Sequence, residues 1–155
     1  MICTKCRSPR SEVVNTRSTR GGSQIWRRRR CVDCGKVSTT YERQDLSFIQ
    51  VVSSGHSDDT KNPQITPYRR SFLFSTIVKS IPDEQLSVID VDNLVDTIEY
   101  KLLELGLETI TTAQIREFTL ITLKPVDMKT YMNYLITHLD FRTQSEVKAA
   151  IKHYS

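Results

Sequence analysis

The 155-residue chain is short of several things. No run approaches the roughly 20 apolar residues of a membrane-spanning helix, and the N-terminus lacks the apolar segment of a secretory signal. There is no glycine-rich phosphate loop of Walker type, no nucleophile elbow and no acidic pair beside a histidine, so an enzyme is not expected. The three histidines, His56, His138 and His153, lie far apart and match no metal-ligand spacing; they read as ordinary surface or packing residues. No internal repeat or low-complexity tract is present. Cysteine is also scarce, with four in the chain, but these four are placed with purpose.

They form two pairs of one spacing, Cys3-x-x-Cys6 and Cys31-x-x-Cys34. A tetrahedral zinc ion takes two such pairs, each on a tight knuckle that turns both sulfurs inward. Two disulfides are the alternative in an exported protein. With no export signal the expected setting is the reducing cytosol, where paired knuckles favour a metal. An iron site of the same geometry and a redox-active dithiol remain as rivals; the redox motif is usually a single pair at a helix start.

The charge is concentrated where the cysteines are. Residues 1–45 hold eleven Lys and Arg against four Asp and Glu, a surplus of seven positive charges. Residues 46–155 hold eleven against fourteen, a deficit of three. Four thiolates on a divalent ion subtract two, leaving the head near +5. Arg27-Arg28-Arg29-Arg30 runs directly into Cys31, and on a strand Arg27 and Arg29 would share one side, Arg28 and Arg30 the other. Adjacent cations repel, and a polyanion offsets that cost. Arg17, Arg20, Lys36 and Arg43 extend the basic patch, so these eight residues are the expected nucleic-acid contacts, with Trp26 beside them either a packing residue that steadies the ribbon or a surface for a base or sugar.

The expected fold class is α+β. A small head of short strands, residues 1–45, is followed by an α-rich domain over 46–140 with a short β-hairpin, then a C-terminal helix over 141–155 for packing or oligomerisation. In the head, Glu12 to Thr16 and Ser23 to Arg30 read as strands around a Gly21-Gly22 turn, with Val37 to Glu42 as a third. Phe48 to Val52 is a strand candidate before a polar loop, Ser53 to Gln64. From about Ser71 the period turns helical. Phe72, Leu73, Ile77 and Val78 give a first apolar face that closes before Pro82. Asp90 caps a helix from Val91 to Leu105, with Gly106 past its end. Thr111-x-x-Gln114 is a capping-box pattern for a helix bearing Ile115, Phe118 and Thr122. Asp127 caps another, bearing Met128, Tyr131, Met132, Leu135 and Leu139, and Ser145 starts the last.

Together, Cys3-x-x-Cys6, Arg27 to Arg30, Cys31-x-x-Cys34-Gly35-Lys36 and Thr39-Thr40-Tyr41-Glu42-Arg43 resemble the NrdR-type transcriptional repressors of bacterial ribonucleotide reductase genes. The head match covers nearly all of residues 1–43. The remainder is similar in layout to that family's ATP-cone, through Val51-Val52, Pro67-Tyr68, Leu73 with Ile77, and Tyr131-Met132-x-Tyr134. The resemblance implies one zinc ion on the four cysteines and double-stranded promoter DNA, at operator boxes, as partner. It also implies ATP or dATP as effector and a homo-oligomer in a bacterial cytoplasm, nucleoid-associated when bound. Val52, Ser53, Arg69, Arg70 and Tyr131 are the residues expected at the nucleotide.

The chain departs from the family where phosphate would sit. Ser53 stands where the family has a lysine after the Val-Val strand, and Phe72 stands about where it has a second. Arg69, Arg70 and Lys61 are the cations at hand to compensate. Two rival readings follow: a zinc-ribbon adaptor for RNA or a protein such as polymerase, with a degenerate cone, and a cone that docks on the reductase itself.

Overall fold

A computed structural model describes residues 1–18, 24–53, 63–85, 89–138 and 152. Arg20, the Gly21-Gly22 turn, His56, Lys61, Leu139, His153 and the helix expected from Ser145 lie outside the described residues, as does most of the polar loop. The chain divides into two compact units, Met1–Asp45 and Leu46–Ser155.

The first unit is a three-stranded antiparallel meander of β1 (Ser11–Ser18), β2 (Gln24–Cys31) and β3 (Val37–Arg43), with β2 in the middle. A bulge between Val13 and Asn15 shifts the β1–β2 register by one residue, which re-aims the strand. Among the described residues of this unit, Gln24 and Cys31 are the buried ones. A sheet with no apolar core of its own cannot offset the entropy of ordering its chain. Its order has to come from elsewhere.

The second unit has the core that the first lacks. β4 (Gln50–Ser53) is the middle of a small sheet, antiparallel to β5 (Gln64–Pro67) and parallel to β6 (Thr109–Thr111). Among the described residues, helices α1 (Arg70–Ser80), α2 (Val91–Glu104), α3 (Thr112–Leu123) and α4 (Met128–His138) accompany it, with a 3₁₀ turn at Asp83–Gln85. Each helix packs on two others, α1 and α3 both lying against α2 and α4. Ile77, Val95, Ile98, Leu102, Leu120, Leu123 and Leu135 meet Ile49 and Ile110 from the sheet in one buried cluster.

The helix starts are set by local chemistry. Asp90 accepts from the Asn93 N–H at 3.1 Å, and Asp127 accepts from the Thr130 N–H at 2.7 Å. Thr111 and Gln114 close a reciprocal capping box, with the Thr111 N–H on Gln114 Oε1 at 2.8 Å. Gly106 takes the left-handed φ of 63° that ends α2.

Three expectations need correction. Phe72 is 63% exposed and not part of the core face of α1, because Leu73 and Ile77 already fill the space below that helix. Met128 is 56% exposed; it stands at the first position of α4, before the helix meets its neighbours. The strand expected from Phe48 begins at Gln50: Phe48 faces solvent, and Ile49 is buried one residue ahead of the ladder. Strand β6 was unforeseen, since three residues carry too little periodicity to be read.

Leu102, fully buried on α2, should cost about 2–5 kcal/mol when cut to alanine. Leu107→Ala, at an exposed position, should stay within about 0.5 kcal/mol. The thermal or urea transition of the helical unit measures both.

Candidate metal centre and nucleic-acid interface

The two knuckles fold alike. The Arg7 N–H returns to the Cys3 carbonyl at 2.9 Å, and the Gly35 N–H to the Cys31 carbonyl at 3.0 Å. The residue after the second cysteine of each pair takes a left-handed φ, 59° at Arg7 and 70° at Gly35. Gly35 does so freely, whereas Arg7 bears a strain of about 1 kcal/mol. The Lys5 N–H points at Cys3 Sγ, 3.5 Å away. Arg10, just past the first knuckle, pairs with Asp33 inside the second, and the Val32 N–H reaches the Arg10 carbonyl at 3.2 Å. Ser8 and then Arg10 hold the Asp33 carboxyl below its ordinary range.

The four sulfurs thereby converge. Cys3 and Cys34 Sγ are 3.6 Å apart, Cys6 and Cys31 Sγ 3.5 Å, and all four lie within 4.8 Å of one another. Zn–S bonds of about 2.3 Å in a tetrahedron set sulfur–sulfur edges of about 3.8 Å, so four thiolates at these separations fit zinc. Without metal they cannot all ionise together. The N–H groups of Cys6 and Lys5 pull the Cys3 thiol down to about 6. The Ser8 N–H favours a Cys6 thiolate, but the sulfurs of Cys34 and Cys31 outweigh it and push Cys6 up to about 12.

The second knuckle holds the Cys31 end of β2, and the first leads into β1 where Ser11 pairs with Cys31, so the knuckles fix the arginine run at that end. Residues opposite one another across an antiparallel ladder share a face. One face therefore carries the row Arg17–Trp26–Tyr41, with Asn15–Arg28–Thr39 and Glu12–Arg30–Val37 beside it and Arg43 opposite Gln24. Arg28, Arg30 and Tyr41 are exposed, and the Arg17 guanidinium sits 5.8 Å from the Trp26 ring centre. Trp26 is half-buried in that row.

The other face engages its arginines internally. Glu42 accepts from Arg27 at 3.1 Å and Arg29 at 3.5 Å, and Arg29 Nε donates to Thr40 Oγ1 at 3.1 Å. The two-sided split of the run matches the strand period. Its consequence, a Glu42 clamp on one pair only, was missed although Glu42 stood in the Thr-Thr-Tyr-Glu-Arg segment. Lys36 is exposed in the turn ahead of β3.

The chain matches the family model described as the transcriptional repressor NrdR-like N-terminal domain over residues 1–42. It is 34% identical to the transcriptional repressor NrdR of Chromobacterium violaceum over 153 residues, covering 98% of this chain and 95% of the relative. It is 31% identical to the NrdR of Paracidovorax citrulli over 97% of both chains. The NrdR of Streptococcus suis is 30% identical over 98% of this chain and 89% of its own length. The chain belongs to the NrdR family of transcriptional repressors.

In this NrdR-family chain the second unit holds a cavity of about 570 Å³. The sheet contributes Val51, Ser53, Thr66 and Pro67, α1 contributes Phe72, Leu73 and Thr76, and Arg69 precedes that helix; α3 contributes Thr112, Ile115 and Arg116, and α4 Tyr134 and His138. Of the five residues expected at a nucleotide, Ser53 and Arg69 line it and Val52, Arg70 and Tyr131 do not. Arg70 instead pairs with Asp92 and Asp96, both at 2.8 Å, and with Glu99. Tyr131 is buried in the core. Sequence reading missed Arg116, Tyr134 and His138. The 3.6-residue period put Tyr134 and His138 on one face of α4, and no local signal marked that face as a cavity wall.

A strong chelator should unfold residues 1–45 and leave the helical circular dichroism of the second unit in place. An unchanged set of ribbon NMR signals without metal would contradict the zinc assignment. At neutral pH zinc has to displace thiol protons, that of Cys6 among them, and below about pH 6 a Cys3 proton too. Apparent zinc affinity should therefore fall with acid and fall more steeply below about pH 6, as read by competition with a chromophoric chelator.

Proposed function

We propose that this protein is a zinc-dependent, DNA-binding transcriptional repressor and not an enzyme. The face bearing Arg17, Arg28, Arg30 and Arg43 docks on double-stranded DNA, with Lys36 and Arg20 extending the contact. Phosphate contacts set its position, and arginines reaching base edges give sequence preference. The observation that carries this reading is the split of the arginine run. Glu42 neutralises part of one face; on the other, Glu12 reaches Arg30 at 3.9 Å in an exposed pair, and with Arg17, Arg28, Arg30 and Arg43 against that one carboxylate the face stays exposed and net basic. Arg27 and Arg29 then steady the strand, and they join the contact only if Glu42 lets go.

The family resemblance supports promoters of ribonucleotide reductase genes as targets, in a bacterial cytoplasm. No helix among the described residues is long and apolar enough to cross a membrane. The effector is an adenine nucleotide held in the cavity of the second unit, and ATP and dATP are what the resemblance implies. Its binding selects an oligomeric form, and that form sets how many ribbons engage DNA together. One ribbon offers little surface, so linking several raises effective concentration steeply. Regulation of this kind requires the nucleotide to bind the forms unequally.

A second reading, an adaptor for RNA, draws on the exposed Tyr41 beside Trp26, a surface suited to stacking on unpaired bases.

A mobility-shift assay on reductase promoter DNA tests the proposal. Arg28→Ala with Arg30→Ala should weaken binding at least tenfold. It should also make the log–log salt dependence shallower by about 1.8, at about 0.9 per lost phosphate contact. Arg27→Ala with Arg29→Ala should weaken binding less. Unchanged affinity in the first double variant, or a flat salt response, would overturn the DNA reading, and tighter binding to single-stranded RNA would favour the adaptor.

A further inference from the structure

We infer that the cavity of the second unit is matched to an adenine nucleotide carrying one phosphate rather than a triphosphate. This rests on reading the cavity as the effector site. The first reason is the supply of cations. Among the described residues that line it, Arg69 and Arg116 carry positive charge. Arg116 is partly committed, with Nη1 on the His138 carbonyl at 2.9 Å and Nε on the Thr112 carbonyl at 3.3 Å. His138, whose pKa is pulled down by burial, adds no charge near neutral pH. A triphosphate carries roughly twice the negative charge of a monophosphate, and two arginines match the smaller load.

The second reason is what stands behind the wall. Tyr68 lines the cavity and donates its hydroxyl to Glu99 Oε1 at 3.1 Å. Glu99 belongs to a cluster in which one guanidinium, Arg70, meets three carboxylates: Asp92, Asp96 and Glu99. Burial raises the pKa of Glu99, yet the cluster stays negative even with that carboxyl protonated. Its field opposes each added phosphate.

The third reason is the lining itself. Val51, Pro67, Phe72, Leu73 and Ile115 give it an apolar surface, and the Tyr134 and His138 rings lie tilted at 44° with their centres 4.4 Å apart. That surface suits a base and a sugar better than a chain of phosphates. Ser53 and Phe72, which open onto the cavity, are the two positions from which lysines would serve a longer phosphate chain.

Calorimetric titration of the zinc-loaded full chain with adenosine, AMP, ADP and ATP, with and without Mg²⁺, tests this. AMP should bind at least tenfold more tightly than ATP. Arg69→Ala should weaken AMP at least tenfold and leave adenosine unchanged. The double variant Ser53→Lys, Phe72→Lys should invert the order in favour of ATP; both sites are at the surface, and a thermal melt checks that it folds. ATP binding as tightly as AMP to the unaltered chain would overturn the inference and leave the effector site standing. No binding by any of the four at millimolar concentration would overturn the effector site, and the inference with it.

Discussion

The first unit depends on one contact, that between four sulfurs and a divalent ion. Its described residues bury a single apolar side chain, Cys31, and that residue is itself a ligand. Hydrophobic burial therefore has almost nothing to act on, and the meander persists because its knuckles are pinned. The strain accepted at Arg7 fits this picture. A left-handed arginine is tolerable where metal coordination over-determines the turn. Everything argued for the ribbon's surface inherits from that pin, since the register of β2 decides which arginines face out.

The chain handles its arginines in four ways. On one face of the ribbon Glu42 gathers Arg27 and Arg29; on the other, Arg28 and Arg30 stay exposed, Arg30 with Glu12 at 3.9 Å, and Arg17 lies over Trp26. In the second unit Arg70 is surrounded by carboxylates at the junction of α1 and α2, where it ties helices together. Arg69, its neighbour, turns to a cavity instead. Adjacent residues of one type thus take opposite tasks, because the backbone sends neighbouring side chains in different directions.

How much was legible from sequence follows the range of the interactions involved. The metal site was readable because spacing within each pair is local and the chemistry of thiolate is specific. Asp90, Thr111 with Gln114, and Gly106 were readable for the same reason: caps are short-range. Leu73 and Ile77 obeyed the helical period, whereas Phe72, adjacent to both, was misjudged, since hydrophobicity alone does not say which side of a first turn is covered. Strand β6 pairs with β4 across almost sixty residues, and no local pattern encodes that. The cavity is the extreme case. Arg116 and His138 meet through tertiary contact, and the Arg70 cluster joins residues more than twenty positions apart.

X-ray absorption at the zinc edge of the purified protein tests the central claim most directly. The account predicts one zinc per chain in a shell of four sulfurs at about 2.3 Å. A shell of nitrogen or oxygen, or a chain that keeps its β-sheet with no metal bound, would contradict it.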